Sequence, residues 1–185
     1  MKKVILISGK AQHGKTTVAH LIRKNLELEG QTTASTFFAK YIKQWMIDYY
    51  GWDGKDKSPY WRTKLQQIGT ERARIELNMP HIHVARTCED IMVVGNDFDY
   101  ITIDDCRFRN EAYYTKAEFP NATIHIKVVR PKFATPLTIE QQMHVSETDM
   151  DNYNEYNEII LNSGTIAELE KKVEKLVAKI VANIY

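Results

Sequence analysis

Apolar residues recur along the chain in two rhythms. Five short runs read as strands: residues 4–8, 32–38, 101–104, Thr123–Val129 and Glu158–Leu161. The middle three are rich in β-branched or aromatic side chains, which suit a pleated surface. Between the strands lie stretches with helical spacing. Residues 15–29 carry Val18, Ala19, Leu21, Ile22 and Leu26 and close before Gly30, a residue type that ends helices well. Residues 39–50 and 61–77 are predicted helices too. The last helix is the clearest: Thr165 and Glu168 form a capping-box pattern, and Ile166, Leu169, Val173, Leu176, Ile180 and Ile184 repeat at helical spacing as a core stripe. Strands alternating with helices predict an α/β domain whose mostly parallel sheet is covered on both faces. Two irregular stretches stand out, 51–60 and 130–137. Loops of this kind on a rigid scaffold carry function.

Composition narrows the picture. The chain has 185 residues, enough for one domain with its own core. Hydrophobic residues make up 43% and charged residues 26%, which argues against wholesale disorder. Lys plus Arg number 25 and Asp plus Glu 24, a formal charge of +1, so no global electrostatic grip on nucleic acid is expected. No apolar run approaches the ~20 residues of a membrane span. The basic start followed by Val4-Ile5-Leu6-Ile7 stops at Ser8-Gly9, short of the about 7–15 apolar residues of a signal peptide, and reads as a buried first strand. Cys88 and Cys106 form no CxxC pair, which suits a reducing, cytoplasmic setting.

The chemistry begins where the first strand ends. Gly9-Lys10-Ala11-Gln12-His13-Gly14-Lys15-Thr16 fits GxxxxGK[ST], between an apolar strand and an amphipathic helix. Its glycines let backbone N–H groups point inward at phosphate oxygens, and the following helix adds its positive dipole end. Lys15 then neutralises β- and γ-phosphate charge, and Thr16 offers a hydroxyl to Mg²⁺. The competing reading is a Gly-rich turn with an exposed lysine.

A second cluster, Asp104-Asp105-Cys106-Arg107-Phe108-Arg109-Asn110-Glu111, follows the third strand, at the sheet end where ligands bind. Two carboxylates there can hold the water shell of Mg²⁺, and Arg107 and Arg109 can contact phosphates. The competing reading is a solvated loop of mixed charge. In the helix predicted over 61–77, Lys64, Gln67, Glu71 and Arg74 share one face, with Arg74 placed to bind an acceptor phosphate; a solvated charged face is the alternative. His81, His83 and Cys88 match no common zinc spacing.

These motifs occur in an order that resembles the phage-type deoxynucleoside monophosphate kinases. The matching residues are the loop with Thr17, Phe38-Ala39 with Lys43, Leu65 to Glu71 with Arg74, Asp105 to Glu111, His144-Val145-Ser146-Glu147, and Asn162-Ser163-Gly164-Thr165. The likeness spans nearly the whole chain, and the D-x-R-F-x-N-E and H-x-S-E clusters are more selective than the loop. The resemblance implies a three-layer fold with sheet order 2-3-1-4-5, an acceptor-binding helical insertion over 39–97, and a short lid-like segment over 130–147. It implies ATP and Mg²⁺ as cofactors and a deoxynucleoside monophosphate as acceptor, in a host cytoplasm, with a homodimer as a family-level expectation.

Carried over by position, Gly9, Lys10, Gln12, His13, Gly14, Lys15, Thr16 and Thr17 would bind ATP phosphates, with Asn162 and Gly164 near adenine. Thr16 and Asp105 would serve the metal. Phe38, Lys43, Lys64, Gln67, Arg74, Arg107, Asn110 and Glu111 would shape the acceptor side. Lys15, Asp105, Arg107 and Arg130 would act in transfer. The sequence departs from the family at Arg109, where relatives often have proline, and in a lid segment whose only obvious cations are Arg130 and Lys132. Three rival functions stay open: a kinase of another small acceptor such as dephospho-coenzyme A, a nucleotide-dependent switch without transfer chemistry, and a kinase of nucleic-acid ends. A guanine-type N/TKxD motif is absent from the sequence, and the near-neutral charge weakens the third.

Overall fold

The computed structural model describes residues 1–56 and 58–185. Its centre is a five-stranded parallel sheet in the order β2-β3-β1-β4-β5, as the resemblance implied. The strands are β1 (Lys3–Ser8), β2 (Thr33–Thr36), β3 (Tyr100–Cys106), β4 (Thr123–Val129) and β5 (Glu158–Leu161). Val4 to Ile7 are buried on both faces of the sheet, which is why they read as an unbroken apolar run, and in β4 the buried His125 stands between Ile124 and Ile126.

Helices α1 (Lys15–Leu28) and α8 (Ile166–Val181) pack against one face. Their layer joins Val18, Ile22 and Leu26 to Leu169, Val173 and Ile180 over Ile5, Ile7 and Ile126. The Thr165–Glu168 capping box forms as predicted. The stripe's ends do not reach the core: Ile166 and Ile184 are exposed, and Val177 takes the buried position between Leu176 and Ile180. The other face is covered by α4 (Ile82–Val94) and α5 (Arg109–Glu118), with Phe38, Val84, Ile91 and Ala112 over Leu6, Ile101 and Ile103. Neither helix is evident in the sequence pattern, since α5 in particular has a mostly polar surface.

Helices α2 (Lys40–Tyr50) and α3 (Pro59–Gln66) stand between β2 and α4 around a small second core of Met46, Trp52 and Ile68. Where a single helix over 61–77 is expected, α3 passes into a π-helical segment, Gln67–Glu76. The wider winding shows in bonds such as Leu77 N–H to Arg72 C=O, 2.9 Å, five residues apart. Gly69 faces Ile42 so closely that an added Cβ would lie 2.6 Å from its Cδ1. Two short helices, α6 (Ile139–Met143) and α7 (Val145–Thr148), close the stretch between β4 and β5. Among the described residues no helix is long and apolar enough to cross a membrane.

Candidate active site

The loop after β1 is wrapped. Gly9 has φ +150° and lies so near β4 that a Cβ would meet Val128 O at 2.4 Å; Gly14 has φ +96° and a Cβ there would meet Asn162 Nδ2 at 2.6 Å. Only glycine tolerates both constraints. No side chain caps the first turn of α1, so its leading N–H groups point toward the loop hollow with no intrahelical partner. Under the loop, Ser8 Oγ lies 2.7 Å from His125 Nε2. Burial pushes the His125 pKa down to about 3, so the pair is a neutral hydrogen bond that ties β1 to β4.

Lys15 folds back across the hollow. Its Nζ donates to Gly9 O at 2.8 Å and Lys10 O at 3.0 Å. Burial first, then the Arg107 guanidinium, lowers its pKa to about 7. Because the unfolded lysine titrates near 10.5, the unliganded fold binds fewer protons than the unfolded chain between those values, and stability rises with pH across that window. A polyphosphate placed beside Nζ restores the charged form. Binding of Mg-ATP at pH 8 is therefore expected to take up a fraction of a proton, measured by calorimetry in two buffers of different ionisation enthalpy. No difference between the buffers would show that Lys15 does not meet the anion.

On the flank toward β4 and β5, His13 Nδ1 accepts from Arg130 N–H at 3.2 Å and Asn162 Nδ2 donates to His13 O at 3.0 Å. Burial lowers the His13 pKa. The loop is thus stapled to the ends of β4 and β5. Beside it runs a groove of about 400 Å³ lined by Arg130, Lys132, Phe133, Asn162 and Gly164. Arg130 stacks on Phe133 at 4.6 Å. Gln12, Thr16 and Thr17 are exposed along the loop and first turn. Lys10 turns instead toward α7, where its Nζ donates to Glu147 O at 2.6 Å.

Across the loop lies a cavity of about 380 Å³. Its wall has two characters. Lys43, Arg62, Arg74 and Arg107 bring positive charge, opposed by Asp56, Asp105, Glu111 and Glu147, and Phe38, Ile42, Trp52 and Leu65 bring flat or branched apolar surface. Asp105 organises one side: its two oxygens accept from Phe38 N–H at 2.7 Å and Ala39 N–H at 3.0 Å. Burial raises its pKa, while those N–H groups pull it back. Arg74 and Glu111 form an enclosed ion pair at 2.6 Å, with Phe108 under the guanidinium at 4.1 Å. Glu111 also accepts from the N–H groups of Arg107 and Phe108. Burial lifts its pKa to about 7 against the pull of Arg74.

Asn110 donates to Pro80 O at 2.8 Å and braces Arg74 from outside the cavity wall. Lys64 and Gln67 are not on that wall. Lys64 sits over the Tyr50 ring at 5.0 Å and Gln67 is exposed. The helix turns a neighbouring face to the cavity, and Gln66, Gly69, Thr70 and Arg74 line it instead. Sequence reasoning missed Trp52 and Arg62, which no motif marks, and gave no role to Gln66 or Glu147, which the Leu65–Glu71 and H-x-S-E patterns do mark.

Asp104 stands apart from Asp105. Strand alternation puts it on the face of Thr102, whose Oγ1 accepts from Arg23 of α1 at 2.9 Å. Its carboxylate makes no side-chain hydrogen bond or ion pair among the described residues. No group of three or more His, Cys, Asp or Glu side chains gathers to hold a metal among those residues. That donor set fits an ion carried by nucleotide phosphates and touched by one carboxylate and a hydroxyl, as Mg²⁺ is.

The fold is that of the P-loop kinases. Dephospho-CoA kinase from Campylobacter jejuni superposes with a TM-score of 0.59 at 15% identity, covering 100% of both chains. Shikimate kinase from Bacteroides thetaiotaomicron gives 0.55 at 12% identity over 97% of this chain and 98% of that one. The APS kinase CysC from Mycobacterium tuberculosis, as its Cys556Ala mutant, gives 0.53 at 11% identity, over 95% and 96%. No family model matches the sequence, and no curated protein does.

Proposed function

We propose that the protein transfers the γ-phosphoryl group of ATP to a deoxynucleoside 5′-monophosphate. The observation that carries this reading is the pairing of a wrapped phosphate-binding loop with a cavity of about 380 Å³ whose lining combines cations, Lys43, Arg74 and Arg107 among them, with the aromatic rings of Phe38 and Trp52. A molecule with one phosphate and one planar base matches that combination, and the volume is in the range of small-ligand sites. The P-loop kinase fold supports transfer over mere binding. The residues sort accordingly. The loop with Lys15 takes the donor phosphates, and the groove at Arg130 and Asn162 takes the donor base. Phe38, Lys43, Arg74 and Arg107 take the acceptor. Bound with the nucleotide, Mg²⁺ would neutralise phosphate charge, held by Thr16 and by Asp104. Asp105 is committed to the Phe38 and Ala39 N–H groups, so it positions the acceptor wall.

An oxygen of the acceptor phosphate forms the new bond to the γ-phosphorus. The bond from that phosphorus to the β–γ bridging oxygen breaks, and ADP leaves with the electron pair. The attacking oxygen is already anionic near neutral pH, so no general base is required. Alignment and charge stabilisation do the catalysis.

A second reading, transfer to another small acceptor, draws support from the dephospho-CoA, shikimate and APS kinases among the structural neighbours. Coupled ADP-release assays separate the two. The expected result is turnover with one or more deoxynucleoside monophosphates and at least about 10²-fold lower kcat/KM with dephospho-coenzyme A, shikimate and adenylylsulfate. The reverse order would assign the second reading. Tight ATP binding without turnover of any acceptor would make the protein a nucleotide-binding switch.

A further inference from the structure

Two residues of α7, Ser146 and Glu147, line the acceptor cavity. Glu147 is buried, and its carboxylate joins two parts that must act together. One oxygen accepts from Ala11 N–H at 2.9 Å, on the shoulder of the phosphate-binding loop. The other pairs with Arg107 Nη1. The segment around it is fastened on every side. Lys10 donates to Glu147 O and pairs with Asp151, Arg109 N–H donates to Asp149 Oδ2 at 2.6 Å, and His144 Nε2 meets Glu71 of the π segment at 2.9 Å. Glu147 borders both the acceptor cavity and a smaller one beneath the loop. The N–H it occupies belongs to Ala11, upstream of the α1 N–H groups that face the anion. It therefore leaves the phosphate seat free.

We infer that Glu147 is a positioning residue for phosphoryl transfer. Its carboxylate holds Arg107 at a fixed distance from the donor loop, so that the guanidinium spans the gap the phosphoryl group crosses. The argument rests on the transfer reading above. A guanidinium has five N–H donors in a rigid fork. Pinning Nη1 on Glu147 fixes the fork's direction and leaves other N–H groups for phosphate oxygens. Without the pin, Arg107 keeps its charge but samples many rotamers. The loss falls on the aligned transition state, because ground-state phosphates are still held by the loop, Lys43 and Arg74.

Glu147→Gln tests this, since glutamine keeps the shape and loses the charge. The expected result is a fall in kcat of about 10²-fold, with Mg-ATP affinity and acceptor KM each within about threefold of wild type. Arg107→Ala with Glu147→Gln should be no slower than Arg107→Ala alone. Additive losses in the double variant, or a rise in KM with kcat unchanged, would overturn the inference. A second measurement needs no acceptor. Arginine labelling by phenylglyoxal, read by mass spectrometry, should be several-fold faster at Arg107 in Glu147→Gln than in wild type, and equal rates would refute the clamp. If wild type turns over none of the acceptors, the transfer reading falls while the labelling still decides what Glu147 does. Glu147→Asp, one methylene shorter, should label Arg107 faster than wild type for the same reason.

Discussion

Lys15→Ala is expected to lower kcat/KM by about 10³-fold or more, a loss of roughly 4 kcal/mol of transition-state stabilisation. Lys15 Nζ folds back inside the loop, bonded to Gly9 O and Lys10 O. A phosphate entering the hollow exchanges those carbonyls for charged oxygens, so the favourable contact grows as charge develops. No neighbour can replace it. Arg107 is engaged with Glu147, and Lys10 points at α7. Burial already disfavours the lysine's charge, so removing it should not unfold the domain. A melting temperature within a few degrees of wild type, together with lost turnover, would separate chemistry from stability. Residual activity above about a tenth of wild type would show that the N–H groups of the loop suffice, and the donor-site assignment of Lys15 would have to be withdrawn.

Different parts of the molecule were legible for different physical reasons. The first strand, buried on both faces, declares itself as an unbroken apolar run, and β4 and β5, rich in Ile and Val, begin and end where the pattern does. The loop is legible because its geometry leaves so little choice of residue: two tight glycine positions and a lysine reaching back between them. Helix α5 is not, because its inner face of Glu111, Ala112 and Thr115 carries little apolar period, and in α4 the period of Val84, Cys88 and Ile91 is diluted by buried His83 and Thr87. The helix expected over 61–77 is the instructive failure. Charge marked the face of Lys64 and Gln67, whereas the residues that line the cavity, Leu65, Gln66, Gly69 and Thr70, repeat at spacings of three and four on a neighbouring face that carries no charge pattern. Asp104 and Asp105 are adjacent in sequence, and only alternation across β3 separates a committed carboxylate from a free one. The partners of Glu147 come from two distant segments, the loop at Lys10 and Ala11 and the turn at Arg107, a convergence that no local pattern encodes.

The second large effect concerns the acceptor wall's foundation. Glu111→Ala should destabilise the domain by about 3–5 kcal/mol, and lower the melting temperature by roughly 10 °C. The side chains of Arg74 and Glu111 are only 8% and 3% exposed. Truncating the glutamate leaves a buried guanidinium with Pro80 O and a distant Asn110 oxygen as its remaining partners, and strips the Arg107 and Phe108 N–H groups of their acceptor. That second loss loosens the turn carrying Arg107, so activity should fall along with stability.

Replacing both charges tests whether the cost comes from the orphaned partner. Arg74→Met with Glu111→Leu should be more stable than Glu111→Ala alone, whatever it does to turnover. The pH dependence supplies an independent sign. Burial lifts the Glu111 pKa from 4.5 to about 7, so the folded state holds a proton there that the unfolded chain releases earlier. Its contribution to stability is full below 4.5 and is lost as pH rises through 7. Glu111→Gln has no proton to lose, and its stability profile over that window should be flatter than that of wild type in denaturant titrations. An unchanged slope would mean that Arg74 holds the carboxylate ionised throughout. The wall would then be a permanent ion pair, and its charge toward an incoming phosphate would not vary with pH.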